Sequence, residues 1–141
     1  MNISELIGKL HSENCSCVIS CKGEMLCFNQ RGIKDLFQLY NDCPEKFRGE
    51  KIADKVVGKG AAALMILIGF SEVYADVLSK PALELFKSGG MKVDFGILSD
   101  NIINRAGDDI CPVEKICMES KTATDCLPGI KQFVERMHKN N

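Results

Sequence analysis

The chain is 141 residues long, 45% hydrophobic and 26% charged, an ordinary globular balance with length enough for one sizeable core. Its 18 Lys and Arg against 19 Asp and Glu leave a formal charge of −1, so it lacks the basic excess that a nucleic-acid polymer would meet. The longest apolar run, Ala61 to Phe70, is about half the roughly 20 residues of a bilayer-spanning helix, and no membrane partner is expected.

Ile3, Leu6, Ile7 and Leu10 recur at helical spacing and predict an opening helix from Ile3 to Ser12. Asn14 to Ser20 reads as a strand, Lys22-Gly23 as a turn and Glu24 to Asn29 as the hairpin partner. Gly32 then opens a helix with Ile33, Leu36, Phe37 and Tyr40 on one stripe, ended by Asp42-Cys43-Pro44. Asp54 to Ile68 is expected to be a helix that starts polar and turns apolar on every side, and is therefore buried all round. Glu72 to Leu78 is a strand, and Ser79 caps a helix with Pro81 in its first turn that runs to Gly89-Gly90. Met91 to Leu98 is a further strand, with Met91, Val93, Phe95 and Ile97 on one face. Pro112 to Glu119 forms a short helix, and Ile130, Phe133, Val134 and Met137 mark the buried stripe of a last one. The order α-β-β-α-α-β-α-β-α-α implies a single α/β domain spanning 1–141, a three-layer α-β-α sandwich around a mixed sheet.

Eight cysteines ask for a compartment. The sequence Met1-Asn2-Ile3-Ser4-Glu5 has neither the basic flank nor the apolar centre of a signal peptide, so a cytoplasmic chain with reduced thiols is expected. Cys15, Cys17 and Cys21 share the parity of Ile19 and are expected on one face of the first strand. No two cysteines form a Cys-x-x-Cys knuckle. They read as small buried hydrophobes, with a metal or redox role for the 15–27 group as the alternative.

A helix, a hairpin, a buried helix, a strand, a proline-opened helix and another strand is also the layout of the cytidine-deaminase-like fold. In that fold zinc is held by a His/Cys-x-Glu at the start of the buried helix and a Pro-Cys-x-x-Cys at the start of the next. The corresponding starts here are Gly58-Lys59-Gly60 and Pro81-Ala82-Leu83-Glu84-Leu85, with Ala82 and Leu85 in the thiolate positions. Neither side chain can ligate zinc, so no metal and no cofactor is expected. Three blocks, Asp54-Lys55-Val56-Val57-Gly58-Lys59, Asn104-Arg105 and Cys111-Pro112-Val113-Glu114, resemble a small bacterial and archaeal family of unknown function assigned to this superfamily. The resemblance runs from the hairpin to about residue 120 and implies a fold without an established activity. Gly60 stands where the resemblance leads one to expect a small alanine.

The same blocks supply the candidate site. Gly58-Lys59-Gly60-Ala61-Ala62-Ala63 fits a Gly-x-Gly-x-x-Ala dinucleotide pattern, although no clear strand precedes it; it reads as close helix packing, as backbone amides facing an anion, or as a Rossmann-like turn. Asp54 is either the N-cap of the buried helix or a ligand group, and Lys55 and Lys59, as helical i, i+4 neighbours, would share a face. Cys111 before Pro112 sits at an N-cap, where the helix field can activate a thiol, while His11 and His138 lie far along the chain. Glu114 completes a cap or acts as an acid/base, and Asn104-Arg105 fixes its loop or reads a phosphate. The expectation is a zinc-free deaminase-like domain holding a small anionic or nucleotide-like ligand on Lys55, Gly58, Lys59, Gly60, Asn104 and Arg105. Cys111, Glu114 and Asp54 would carry any chemistry. The alternatives are a cysteine-dependent enzyme using Cys111, and a non-catalytic interaction module that assembles into a homo-oligomer through its helices.

Overall fold

The computed structural model describes residues 1–30, 33–104 and 106–139, with 138 and 139 described by backbone alone. Helix α1 (Ile3–Ser12) starts at Asn2, whose side chain accepts the Glu5 amide at 3.0 Å, and buries Leu6 and Leu10. The hairpin β1 (Cys17–Cys21) and β2 (Glu24–Phe28) turns through Lys22 and Gly23, both at positive φ. Helix α2 (Lys34–Asp42) follows; its expected start at Gly32 lies outside the described residues. Then come β3 (Lys51–Val57), α3 (Lys59–Ile68), β4 (Glu72–Ser79), α4 (Lys80–Ser88), β5 (Lys92–Ser99), α5 (Pro112–Cys117) and α6 (Ala123–Lys139).

The sheet runs β2-β1-β3-β4-β5, with β1 antiparallel to both neighbours and β3, β4 and β5 parallel. Two crossovers, through α3 and α4, connect the parallel strands, and the whole is an α/β sandwich around a mixed sheet. The larger core lies between the sheet and helices α2 to α6, and a smaller one joins Val18 and Ala53 to Leu6 and Leu10 of α1. Among the described residues no helix is long and apolar enough to cross a membrane.

Strand β3 is the main departure from the sequence reading. The expected helix over 54–68 is a strand to Val57, a hinge at Gly58 and a helix only from Lys59. Adjacent Asp54 and Lys55 break the apolar alternation that marks a strand, while Ile52, Val56 and Val57 carry the β-branched signal. The later part of the reading holds: α3 is buried from Lys59 to Met65.

The alternation also shifts within the parallel strands. Ile52, Val73 and Ala75 belong to the larger core, yet so do Val57 and Leu78, of opposite parity in the same strands. The ladder pairs Asp54 with Ala75 and Ala75 with Phe95, then resumes at Val56, Val77 and Ile97. Beyond that level Val56 and Val77 face away from the larger core, and Ile97, expected on one face with Met91, Val93 and Phe95, is 63% exposed while those three pack against the core. Cys15 departs too: Cys17 and Cys21 face the larger core with Ile19, but Cys15 precedes the strand and packs in the smaller core.

Candidate functional site

Glu114 is the centre toward which the sequence blocks converge. Only 1% exposed, it lies in the first turn of α5 and accepts from three parts of the fold. The Lys59 amide, at the start of α3, donates to Oε1 at 3.2 Å. The Ser79 hydroxyl, at the N-cap of α4, donates to the same oxygen while Ser79 Oγ also accepts the Ala82 amide at 3.2 Å. The Ile102 amide, in the loop after β5, donates to Oε2. One carboxylate thus stands where the amino ends of α3, α4 and α5 meet at the carboxyl ends of β3, β4 and β5. Each helix end presents unpaired N–H groups and a partial positive charge, which suits a buried anion.

The other predicted residues distribute around this centre unevenly. Gly58 is the N-cap of α3, and a β-carbon there would come within 3.3 Å of Glu114 Oε1. Gly60 is required for packing: a β-carbon would meet Val113 Cγ1 at 2.3 Å, so an alanine does not fit. Lys59 is buried, and its ammonium turns along α5 to donate to the carbonyls of Met118, at 3.3 Å, and Ser120. Lys55 does not share its face, because it belongs to β3 and donates to Asn14 Oδ1 beside α1. Asn104 staples its own loop, accepting the amides of Gly107 at 2.9 Å and Asp108 at 3.2 Å and donating to Asp108 Oδ1 at 3.0 Å. Arg105 lies outside the described residues. Cys111 does occupy the N-cap of α5, half-buried and without a side-chain cap bond.

Asp54 is not a cap. It is half-buried in mid-strand, opposite Cys17, and burial pushes its carboxyl up to about 7 against the pull of the Val56 and Lys55 amides. The charges of Asp76 and Asp35 add to that rise. Asp35, in the first turn of α2, is itself raised by burial, and the Cys17 thiol is pushed well up by burial and by both carboxylates. The surroundings of Asp54, Asp35 and Cys17 are therefore acidic and poorly solvated.

A second cluster escaped the sequence reading. On the sheet face that α1 covers only in part, His11 Nε2 lies 2.8 Å from Asp76 Oδ1, and the Tyr74 hydroxyl donates to the same oxygen at 2.9 Å. His11 and Asp76 are 65 residues apart, and nothing in their spacing signals the contact. Beside them Val56, Val77 and Ile97 form a register-matched row across three strands, with Val56 47% exposed. Gly96 keeps this face low: a β-carbon there would stand 3.4 Å from the Tyr74 hydroxyl and 3.0 Å from the Asp76 carbonyl.

The comparisons with known proteins fit this architecture. The profile of a family described as a domain of unknown function, DUF1893 (TM1506), matches residues 5–134. The chain belongs to the DUF1893 family. A crystal structure of a DUF1893 family protein, TM1506 from Thermotoga maritima at 2.70 Å resolution, superimposes with a TM-score of 0.85 at 21% identity. The match covers 92% of this chain and 88% of that one, and shows the shared fold. No curated protein matches the chain.

Within this DUF1893 chain Ala82 and Leu85 are buried apolar residues of α4. Among the described residues no three His, Cys, Asp or Glu side chains are grouped to hold an ion. The other thiols beside the centre are Cys117 and Cys126, both fully buried under Lys59. A hydrogen bond from Cys117, helped by Ser120 and the Lys59 ammonium, draws the Cys126 thiol down to about 7 despite its burial, and Cys117 is raised.

Proposed function

We propose that this domain is a catalytically silent member of the deaminase-like architecture that works as an interaction module. The observation that carries the reading is Glu114. Its carboxylate fills the place where three helix starts would receive a substrate anion, and both its oxygens are engaged by protein donors. Two of the cations expected to hold an anionic or nucleotide-like ligand are engaged elsewhere, Lys59 on carbonyls behind α5 and Lys55 on Asn14. What faces outward is the low sheet face with Val56, Val77 and Ile97 beside the His11–Asp76–Tyr74 cluster, an apolar row with a polar margin that suits a protein surface.

Native mass spectrometry and titration calorimetry with inorganic phosphate, a nucleoside and a nucleoside monophosphate test the closed centre. The expected result is a bare polypeptide mass and no saturable heat. A stoichiometric co-purifying small molecule would restore the small-ligand reading. Sedimentation of the native chain and of Ile97→Lys over a concentration series tests the sheet face. Self-association abolished by Ile97→Lys makes a second copy the partner, whereas association that survives it removes this face from the reading.

A second reading rests on Asp54. A half-buried carboxyl raised to about 7 beside Asp35 is the kind of group that exchanges a proton with a bound molecule, and two neighbouring carboxyls favour a cationic or neutral ligand over an anion. A reaction at Cys111 has less behind it, since Glu114, its neighbour in sequence, is held by three other donors.

A further inference from the structure

Cys27 is exposed on β2, an edge strand of the sheet. It pairs with Val18, whose side chain lies in the smaller core, so Cys27 points to the α1 face. Cys15 reaches the same place by leaving the line of β1. Asn14 adopts a positive φ of 52°, and the Ser16 amide and hydroxyl both donate to the Phe28 carbonyl, at 2.8 and 2.7 Å. This bend sets the buried Cys15 thiol on the α1 face beside Val18, the cross-strand partner of Cys27, where the two thiols act on each other. The pair therefore combines a thiol that solvent reaches with a sheltered neighbour on the same face of the sheet. The remaining hairpin thiols, Cys17 and Cys21, face the other side of the sheet and are buried. Cys117 and Cys126 also make a pair, but neither is open to an oxidant.

We infer that Cys27 and Cys15 form an oxidation site in which a hydroperoxide oxidises Cys27 and Cys15 then closes an intramolecular disulfide. In the first step the Cys27 sulfur attacks the terminal peroxide oxygen. The O–O bond breaks, an S–O bond forms, and the hydroperoxide leaves as an alcohol, or as water from hydrogen peroxide. In the second step the Cys15 sulfur attacks the sulfenic sulfur, forming the S–S bond as the S–O bond breaks. The Cys15 proton departs with the released hydroxide as water. Overall, two thiols lose two electrons and two protons to one hydroperoxide. Closing this bond ties β2 to the joint between β1 and α1, the helix that carries His11 toward Asp76.

The test treats the reduced full chain with hydrogen peroxide, quenches with an alkylating agent and maps tryptic peptides. Residues 10–22 carry Cys15, Cys17 and Cys21, and residues 23–31 carry Cys27, so a linked pair of these peptides is expected and dithiothreitol should separate it. Cys15→Ala should abolish the link and leave Cys27 as a sulfenic acid that dimedone traps, and Cys27→Ser should abolish both. Because Cys27 is exposed, its serine variant keeps the test valid should Cys15→Ala fold poorly. The inference falls if the link persists in Cys15→Ala, if it joins two chains on a non-reducing gel, or if Cys27 of the native chain passes to sulfinic acid without linking.

Discussion

Gly60→Ala sets two forces against each other at a single carbon. Helix propensity alone favours alanine in α3 by about 0.5–1 kcal/mol. Against that, the new methyl would stand 2.3 Å from Val113 Cγ1. Carbon atoms rest at about 3.5–4.0 Å, so Val113 must give by more than about 1 Å. It has little room to do so. Its side chain is β-branched and stiff in a helix, and it is buried on α5. That helix is itself held through Glu114 and the Lys59 contacts. Overpacking of this kind costs about 1–3 kcal/mol, so the expected net effect is a loss of about 1–2 kcal/mol. Urea unfolding of four proteins decides the matter: the native chain, Gly60→Ala, Val113→Ala and the double variant. In the Val113→Ala background the obstacle is gone, and Gly60→Ala should become stabilising by about 0.5–1 kcal/mol. A native-background Gly60→Ala that raises the urea midpoint would refute the packing argument and return Gly60 to a tolerated departure from alanine.

Two further outcomes follow from the site. Glu114→Gln is expected to cost about 1.5–3 kcal/mol, because its amide turns a donor toward one of three groups that already donate; a cost under about 0.5 kcal/mol would mean that the carboxylate does not hold the three helix starts together. For Asp54 the folded value of about 7 lies above the ordinary 3.8, so between those values the folded chain keeps a proton that the unfolded chain has lost. Stability should therefore fall as pH rises through that window and level off above it. Asp54→Asn should flatten the slope of melting temperature against pH, and an unchanged slope would place the proton on another group.

Much of the architecture was legible because local signals agreed with the fold. Pro81 and Pro112, Ser79 as a cap, Gly23 in its turn and the apolar run of α3 each mark an element that the structure contains. What failed were signals set by neighbours across the sheet. The Asp54-Lys55 pair conceals a strand because one side chain meets the space beside Cys17 and the other meets Asn14, on opposite faces. Ile97 is a β-branched-rich strand's natural inward residue by parity, yet the ladder shifts near Gly96 and turns it outward. Of the residues the sequence grouped as one site, Gly58, Lys59, Gly60 and Glu114 lie together in the structure, whereas Lys55 and Asn104 turn to other partners. The Glu114 partners Ser79 and Ile102, and the His11–Asp76 contact, depend on tertiary placement that no spacing encodes.

The electrostatics of the centre give the strongest reason to look for function away from it. A lone buried carboxylate would cost several kcal/mol in desolvation, and it persists here because donors from three helix starts replace the water it gave up. A second anion brought to the same place would face the Glu114 charge, with the donors of the three helix starts already engaged. Lys59 cannot offset that charge from outside, because its ammonium answers the carbonyls at the far end of α5. One internal arrangement thus satisfies the positive ends of α3, α4 and α5, the carbonyls after α5 and both charged side chains. The polar centre then acts as a rivet between strands and helices. The surface left with unspent contacts is the sheet face beside α1, where the Val56–Val77–Ile97 row, the His11–Asp76–Tyr74 cluster and the Cys15–Cys27 pair lie on the same side.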